Sequence, residues 1–342
     1  MSRESLQWLN QNTLIGFTDQ RGHAWHYRAG EQGGEPNHYP GPIPVRDVIR
    51  RLFGWQPVEG TVESAFITED GVTRVTDTAR KAIIRPDTGA ILGVFKQGYQ
   101  IHDYAQWLVD NVATLLDDDL AIGSAGLLRG GAVAWVQVEV PETCTTDEGV
   151  AFRPFLLAAS SLDGSLKTTY RRGATVVVCD NTLSAALNES GAWQIKIKHS
   201  SNSLGRITRA REALGIVHRV ADDFAAQVRA LCRVEVTDRQ WDRFLTELVP
   251  VPPEQGRSRT LAERRREALT ALWRHDPRVS PWRGTAYGVV AAVNTYTHHE
   301  QSVRGAHRAE RNMLRAVTGE FDQLDRETLS VLDRVLDGAF TR

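Results

Sequence analysis

Cysteine is scarce in this chain, with three in 342 residues: Cys144, Cys179 and Cys232, widely separated and odd in number. Such a set supplies neither a disulfide framework nor the paired spacing of a structural zinc site. Long apolar runs are missing as well. The longest lies around Ala174–Cys179, far too short to span a bilayer, and the opening MSRESLQWLNQ has no apolar core of a signal peptide. The expectation is a protein of the cytoplasm with no membrane association. An excess of one charge is also lacking, since 41 Lys and Arg face 42 Asp and Glu for a net charge of −1. That excludes a uniformly basic nucleic-acid coat, so any polarity has to be local.

The common catalytic signatures are absent too. No Gly-rich loop is closed by Lys-Ser/Thr, no Gly-x-Ser-x-Gly elbow occurs, and no helix carries His-Glu-x-x-His. A nucleotide-driven motor is thereby disfavoured, and neither a catalytic residue nor a cofactor is expected. His23-x-x-His26 and His298-His299-Glu300 offer ligand types, but adjacent histidines on a helix diverge by about 100° and do not readily share an ion. Asp117-Asp118-Asp119 reads as a solvated acidic loop. No metal site is expected.

What is present is a clear change of pattern along the chain. Up to Pro42 the Gly and Pro of RAGEQGGEPNHYPGPIP suggest an irregular arm. Val45, Val48, Ile49 and Leu52 recur at helical spacing, with Pro44 suited to the first turn and Gly54 to the C′ position. RKAIIRPDTGAILGVF reads as a hairpin around Pro86–Gly89. Tyr104, Trp107, Leu108, Asn111, Leu115 and Leu116 form one helical face. IGSAGLLRGGAVAWVQVEV reads as a hairpin turning at Arg129–Gly131, and its second strand is apolar enough for burial on both faces. These elements predict an α+β fold of antiparallel hairpins packed with helices, followed by a mainly α-helical C-terminal part. The division falls into an α+β core over 1–202, including the N-terminal arm, and a helical region over 203–342. In the latter, Leu204, Ile207, Ala210, Leu214, Val217, Ala221, Phe224, Val228 and Leu231 form an amphipathic seam. Thr237-x-x-Gln240 and Thr260-x-x-Glu263 each read as a capping box opening a helix.

The most informative stretch runs from Phe155 to Leu214. It reads as two strands around an Asp163-Gly164 turn, a strand ending in Cys179-Asp180-Asn181-Thr182-Leu183, and a basic amphipathic helix. From Lys167 to Arg219 it holds nine Lys or Arg against three acids on an otherwise balanced chain. Cations sit beside aromatics here, with Arg171 and Arg172 after Tyr170, and Lys196 and Lys198 after Trp193. Phosphate charge combined with base stacking is what a sequence-tolerant single-strand binder uses. The candidate nucleic-acid-binding residues are therefore Lys167, Tyr170, Arg171, Arg172, Asn181, Trp193, Lys196, Lys198, Arg206 and Arg209. The same cations also fit a solvated face whose Arg stems cover apolar surface. Asn181 fits a strand-to-helix junction as well as a phosphate contact.

Several segments resemble a family of phage- and plasmid-associated proteins grouped as a domain of unknown function. They are Gly54-Trp55, ILGVFKQGYQIHDYAQW at Ile91–Trp107, LLRGGAVAWVQVEVP at Leu127–Pro141, Leu162–Gly164, VVVCDNTLSAAL, KIKHSSNS and TAYGVVAAVNTYTHH. Members usually show Arg-Val-Val-Cys-x-Asn-Thr-Leu, and Val176 stands here where that Arg is expected. The resemblance implies mobile-element DNA metabolism, and the hairpin-plus-helix order is similar in topology to single-strand annealing proteins of the RecT/Redβ type. The resulting expectation is a non-enzymatic, homo-oligomeric protein that binds single-stranded DNA through a basic groove and promotes annealing in recombination. Charge reversal at Arg171 and Arg172 is then expected to weaken binding without unfolding. The alternative is an oligomeric scaffold that assembles through the seam Leu204–Leu231 and engages a protein partner without binding nucleic acid.

Overall fold

A computed structural model describes residues 10–21, 29–32, 34–113, 116, 120–140, 142–176, 181–183, 194–200, 218–302 and 308–339. The main sheet is antiparallel throughout. Its strands are β1 (Thr13–Ile15), β5 (Ala121–Leu128), β6 (Val133–Glu139), β8 (Ala151–Ser161), β9 (Thr168–Val176) and β10 (Asn181–Leu183), in that spatial order. A short β7 (Cys144–Thr145) pairs with β8, and β11 (Gln194–Ile197) pairs with β9. A second sheet consists of β2 (Val58–Thr68), β3 (Gly71–Arg85) and β4 (Ala90–Lys96). The helices are α1 (Val45–Leu52), α2 (His218–Arg233), α3 (Asp238–Leu248), α4 (Arg257–His275), α5 (Ala286–Thr295), α6 (Arg308–Thr318) and α7 (Glu320–Val335). Two π-helical segments, Ala105–Asp110 and Tyr296–Glu300, complete the helical elements used below. The architecture is α+β, with antiparallel sheets in the N-terminal half and helices thereafter.

The apolar strand β6 has the two-sided burial its sequence implies. Ala134, Val136 and Val138 join a core with α1 and the first π-helix, where Trp107, Leu108 and Val109 are buried. Val133 and Trp135 face the other way and join Phe155, Leu157 and Ala159 beneath Val317 of α6. Period-2 alternation thus splits each strand between two cores. A third core lies among the helices, around the stacked rings of Trp241 and Trp273, 4.7 Å apart, and reaches the sheet through Val150, Phe152 and Ala174. The helical part therefore shares a core with the sheet.

Local chemistry sets several boundaries. Both expected hairpins form, with turns at Pro86–Gly89 and Arg129–Gly131. Thr237 and Gln240 close the expected capping box on α3. Replacing Thr237 with Ala removes the acceptor for the Gln240 backbone N–H, and urea melts are expected to show a loss of about 1 kcal/mol. Thr260 does not open its helix. α4 starts three residues earlier, at Arg257, and the Thr260 hydroxyl instead donates back to the Gly256 carbonyl at 3.2 Å.

Three further expectations change. The N-terminal arm is partly woven into the sheet, because β1 pairs with β5 through Thr13–Gly126, Leu14–Ala125 and Ile15–Ser124. The seam residues Phe224, Val228 and Leu231 are buried in the helical core, so this half of the seam is used within the chain. Its first half, with the boundary at 202–203, lies beside or within residues outside the described ones. The strand expected to end in CDNTL is divided, and the small-residue helix expected after it lies outside the described residues. β10 folds back antiparallel on β9, with Asn181 opposite Val176, and runs against α5 and α7.

The second sheet extends away from the body. Near its base Ala82 and Ile83 are buried, and the ladder breaks between Thr61 and Val62, whose partners are Lys81 and Asp77. Thr78, Ala79 and Arg80 bulge out there, and Gln97 holds the bulge by donating from its amide to the Thr78 and Arg80 carbonyls at 3.3 and 3.0 Å. Such a bulge bends a ribbon and fixes its direction.

Candidate nucleic-acid interface

β11 closes one side of β9, and its register decides which cations meet. Gln194 lies opposite Arg171, Lys196 opposite Thr169, and Ile197 opposite Thr168. Ile197 and Thr168 are buried, so alternation sends Lys196, opposite Thr169, to the other face, while Lys167 and Lys198 directly flank the paired residues of β9 and β11. All three lysines are exposed, and among the described residues none is paired with a carboxylate. They form a short basic strip at the sheet edge. Edge lysines also deter strand-to-strand aggregation, a structural use of the same placement.

The other candidates fare differently. Tyr170 does not stack on bases. It is buried, its hydroxyl donates to the Trp107 carbonyl and accepts from the Asn111 amide at 2.6 Å. Arg171 is also buried, and its guanidinium donates to the Asp322 carboxylate at 2.5 Å and to the Ala316 carbonyl. It joins β9 to the α6–α7 turn, where Gly319 takes a left-handed φ of 82° and a Cβ would come 2.8 Å from the Arg171 Nη1. A cation held this way is unavailable to a phosphate. Arg172 is half-buried and points to the opposite face of β9 from Arg171. Asn181 sits in β10, while Trp193, Arg206 and Arg209 lie outside the described residues.

Behind the lysine strip lies a group that composition did not single out. The rings of Trp107, His102, His199, Tyr99 and Phe95 form one continuous pile, with centroids 3.7, 3.8, 4.9 and 3.9 Å apart in that order. His102 Nδ1 lies 2.6 Å from the Thr168 hydroxyl, and that hydroxyl lies 2.8 Å from the Ser160 hydroxyl and 3.3 Å from His199 Nε2. His199 Nδ1 is 3.1 Å from the Gln100 carbonyl, an acceptor only, so Nδ1 carries the proton and Nε2 accepts from the hydroxyls. Burial pushes His199 down to about 4 and, with His199 beside it, His102 down to about 3. Both are neutral at pH 7 and add no charge to the strip. Ser160 and Thr168 are fully buried, so the cluster fixes the end of β11, and with it Lys196 and Lys198, against the body.

His102 and His199 lie in two of the segments that carry the family resemblance, QGYQIHDYAQW and KIKHSSNS, yet neither segment alone signals that the rings meet. The hydroxyl pair Ser160-Ser161 ending the apolar run FLLAASS is the one local hint, because buried hydroxyls require partners. Among the described residues no group of three or more His, Cys, Asp or Glu is arranged to hold a metal ion. No helix among them is long and apolar enough to cross a membrane.

Comparison with protein families matches residues 91–318, about two thirds of the chain, to the domain of unknown function DUF932. The chain belongs to that family. Comparison with curated proteins and with solved structures gives no match, and no relation to RecT/Redβ annealing proteins emerges.

Proposed function

We propose that this protein is a non-enzymatic binder of single-stranded nucleic acid, with single-stranded DNA the foremost ligand, acting in the DNA metabolism of phages or plasmids. One observation supports this reading above the others: Lys167, Lys196 and Lys198 are exposed together at one sheet edge, without carboxylate partners among the described residues. Three mobile ammonium groups along an edge suit a flexible phosphate backbone and carry no base preference of their own. Annealing of strands in recombination would follow from binding by an assembly of copies, and belongs to the same proposal.

Charge reversal separates this role from a structural one. Lys196→Glu combined with Lys198→Glu removes two phosphate contacts, so the slope of log affinity against log salt for a single-stranded oligonucleotide is expected to fall in magnitude by about 1.4. Thermal unfolding of the variant is expected to match that of the unaltered chain, because both side chains are exposed. Unchanged affinity and slope in a folded variant would remove the strip from the interface. A scaffold role rests on a different surface, the exposed β2–β3 ribbon.

A further inference from the structure

Eight large apolar side chains are exposed among the described residues, and seven belong to the β2–β3–β4 sheet. The outer ribbon, beyond the bulge, comprises Val62–Thr68 and Gly71–Asp77. Phe66 and Val75 lie on one of its faces, Ile67 and its direct partner Val72 on the other; Ile67 is 85 % exposed. Both faces and both edges are thus open to water. A two-stranded ribbon is marginal alone, and apolar side chains concentrated at its tip indicate a surface made to be covered.

The charges select the partner. The ribbon carries Glu63, Glu69, Asp70 and Asp77 against Arg74 alone. That excess repels phosphate backbones and also opposes pairing of two identical ribbons. Its complement is a basic surface with an apolar centre, and this chain has one. The eighth exposed apolar residue is Leu261 of α4, 53 % exposed. Arg257 and Arg264, four residues before and three after it, share its helix face, are exposed, and have no carboxylate partner among the described residues.

We infer that the outer ribbon of one copy docks on the Leu261 face of α4 in a second copy. Ile67 and Val72 cover Leu261, while Glu69 and Asp70 approach Arg257 and Arg264. The two surfaces differ, so the contact is head-to-tail and repeats, building a ring when the rotation closes and a filament when it does not. It uses none of the three lysines of the proposed nucleic-acid strip, so either proposal can fail alone.

Light scattering coupled to size exclusion, on the full chain without nucleic acid at low salt, tests the inference. The expected mass is a multiple of 38.1 kDa, rising with concentration and falling with salt. Ile67→Asp is expected to reduce it to the single-chain value, with an unchanged circular dichroism spectrum because the side chain is exposed. Arg257→Glu with Arg264→Glu is expected to do the same, and adding Glu69→Arg and Asp70→Arg to that variant is expected to restore assembly. A chain that stays at 38.1 kDa throughout overturns the inference. So does assembly that survives Ile67→Asp. Assembly that is lost with Ile67→Asp but unaffected by the α4 changes overturns the assignment of α4 as the docking face.

Discussion

Urea melts recorded at successively lower pH are expected to show a steep loss of stability beginning below pH 6.5, well before the carboxylates titrate. The cause is three neutral imidazoles, two buried (His102 and His298) and one half-buried (His199). An unperturbed histidine titrates near 6.5, whereas burial pushes His102 and His298 down to about 3 and His199 down to about 4. Below 6.5 the unfolded chain therefore binds protons that the folded chain refuses, and stability falls with pH until the folded values are reached. Above 6.5 the three groups contribute nothing to the slope. Each pH unit below it costs about 1.4 kcal/mol per histidine, or about 2 kcal/mol each for His102 and His298 by about pH 5.

The surroundings reinforce that direction. His298 stacks on Phe321 at 3.8 Å, and its Nε2 has no hydrogen-bond partner among the described residues. The Arg311 and Arg315 guanidinium groups and the neighbouring His299 ring oppose a proton there. His102 likewise has an unpartnered Nε2 and lies face to face with His199, so a proton on one resists a second on the other. Asp87, Asp163 and Asp276 shift the opposite way, held below their usual 3.8 by bonds to Arg85, Ser165 and Arg278 respectively, with Arg129 also bonded to Asp163. Their contribution is lost only in a lower window, as pH falls through their folded values. His298→Phe is expected to remove one proton from the acid slope while keeping the stack on Phe321. Stability that stays level down to about pH 5 would contradict this account of the three imidazoles.

The second large effect concerns Arg171. Its pairing with Asp322 and the Ala316 carbonyl makes it the bolt between β9 and the α6–α7 turn. Arg171→Ala leaves the largely buried Asp322 carboxylate unpaired, and a loss of about 3–5 kcal/mol is expected in urea melts. Arg171→Glu is expected to be worse, since it sets two carboxylates together. This reverses the expectation that charge reversal at Arg171 weakens nucleic-acid binding while leaving the fold intact. Arg171→Met with Asp322→Leu removes both charges and is expected to recover most of the loss. A melt of Arg171→Ala coincident with that of the unaltered chain would show that the pair contributes little.

Arg171 and Lys167 illustrate how much the sequence discloses. Both belong to one run of positive charge, and a count of charges treats them alike. What separates them is the strand period and the position of α6 and α7, elements that lie more than a hundred residues further along. The hairpins at Pro86–Gly89 and Arg129–Gly131 and the cap at Thr237 were legible because their chemistry is contained in a few neighbouring residues. β1 was hidden because a three-residue strand is defined by its partner β5 rather than by its own pattern. The segment with Tyr104, Trp107, Leu108 and Asn111 did present an apolar helical face, but its π-helical winding over Ala105–Asp110 has no separate signature in side-chain spacing. The meeting of His102 with His199 was hidden for the same reason as the fate of Arg171: β-pairing, not local sequence, brings the two segments together.

The central claim, that a basic sheet edge binds single-stranded nucleic acid, is tested most directly by fluorescence anisotropy of a labelled single-stranded oligonucleotide, with a duplex of the same sequence alongside, at two salt concentrations. Three phosphate contacts predict a slope of log affinity against log salt of about −2, so a fourfold rise in salt is expected to weaken single-strand binding roughly twentyfold. The single strand is expected to bind more tightly than the duplex. Absence of binding at the lower salt, or an affinity that does not change between the two, would contradict the account.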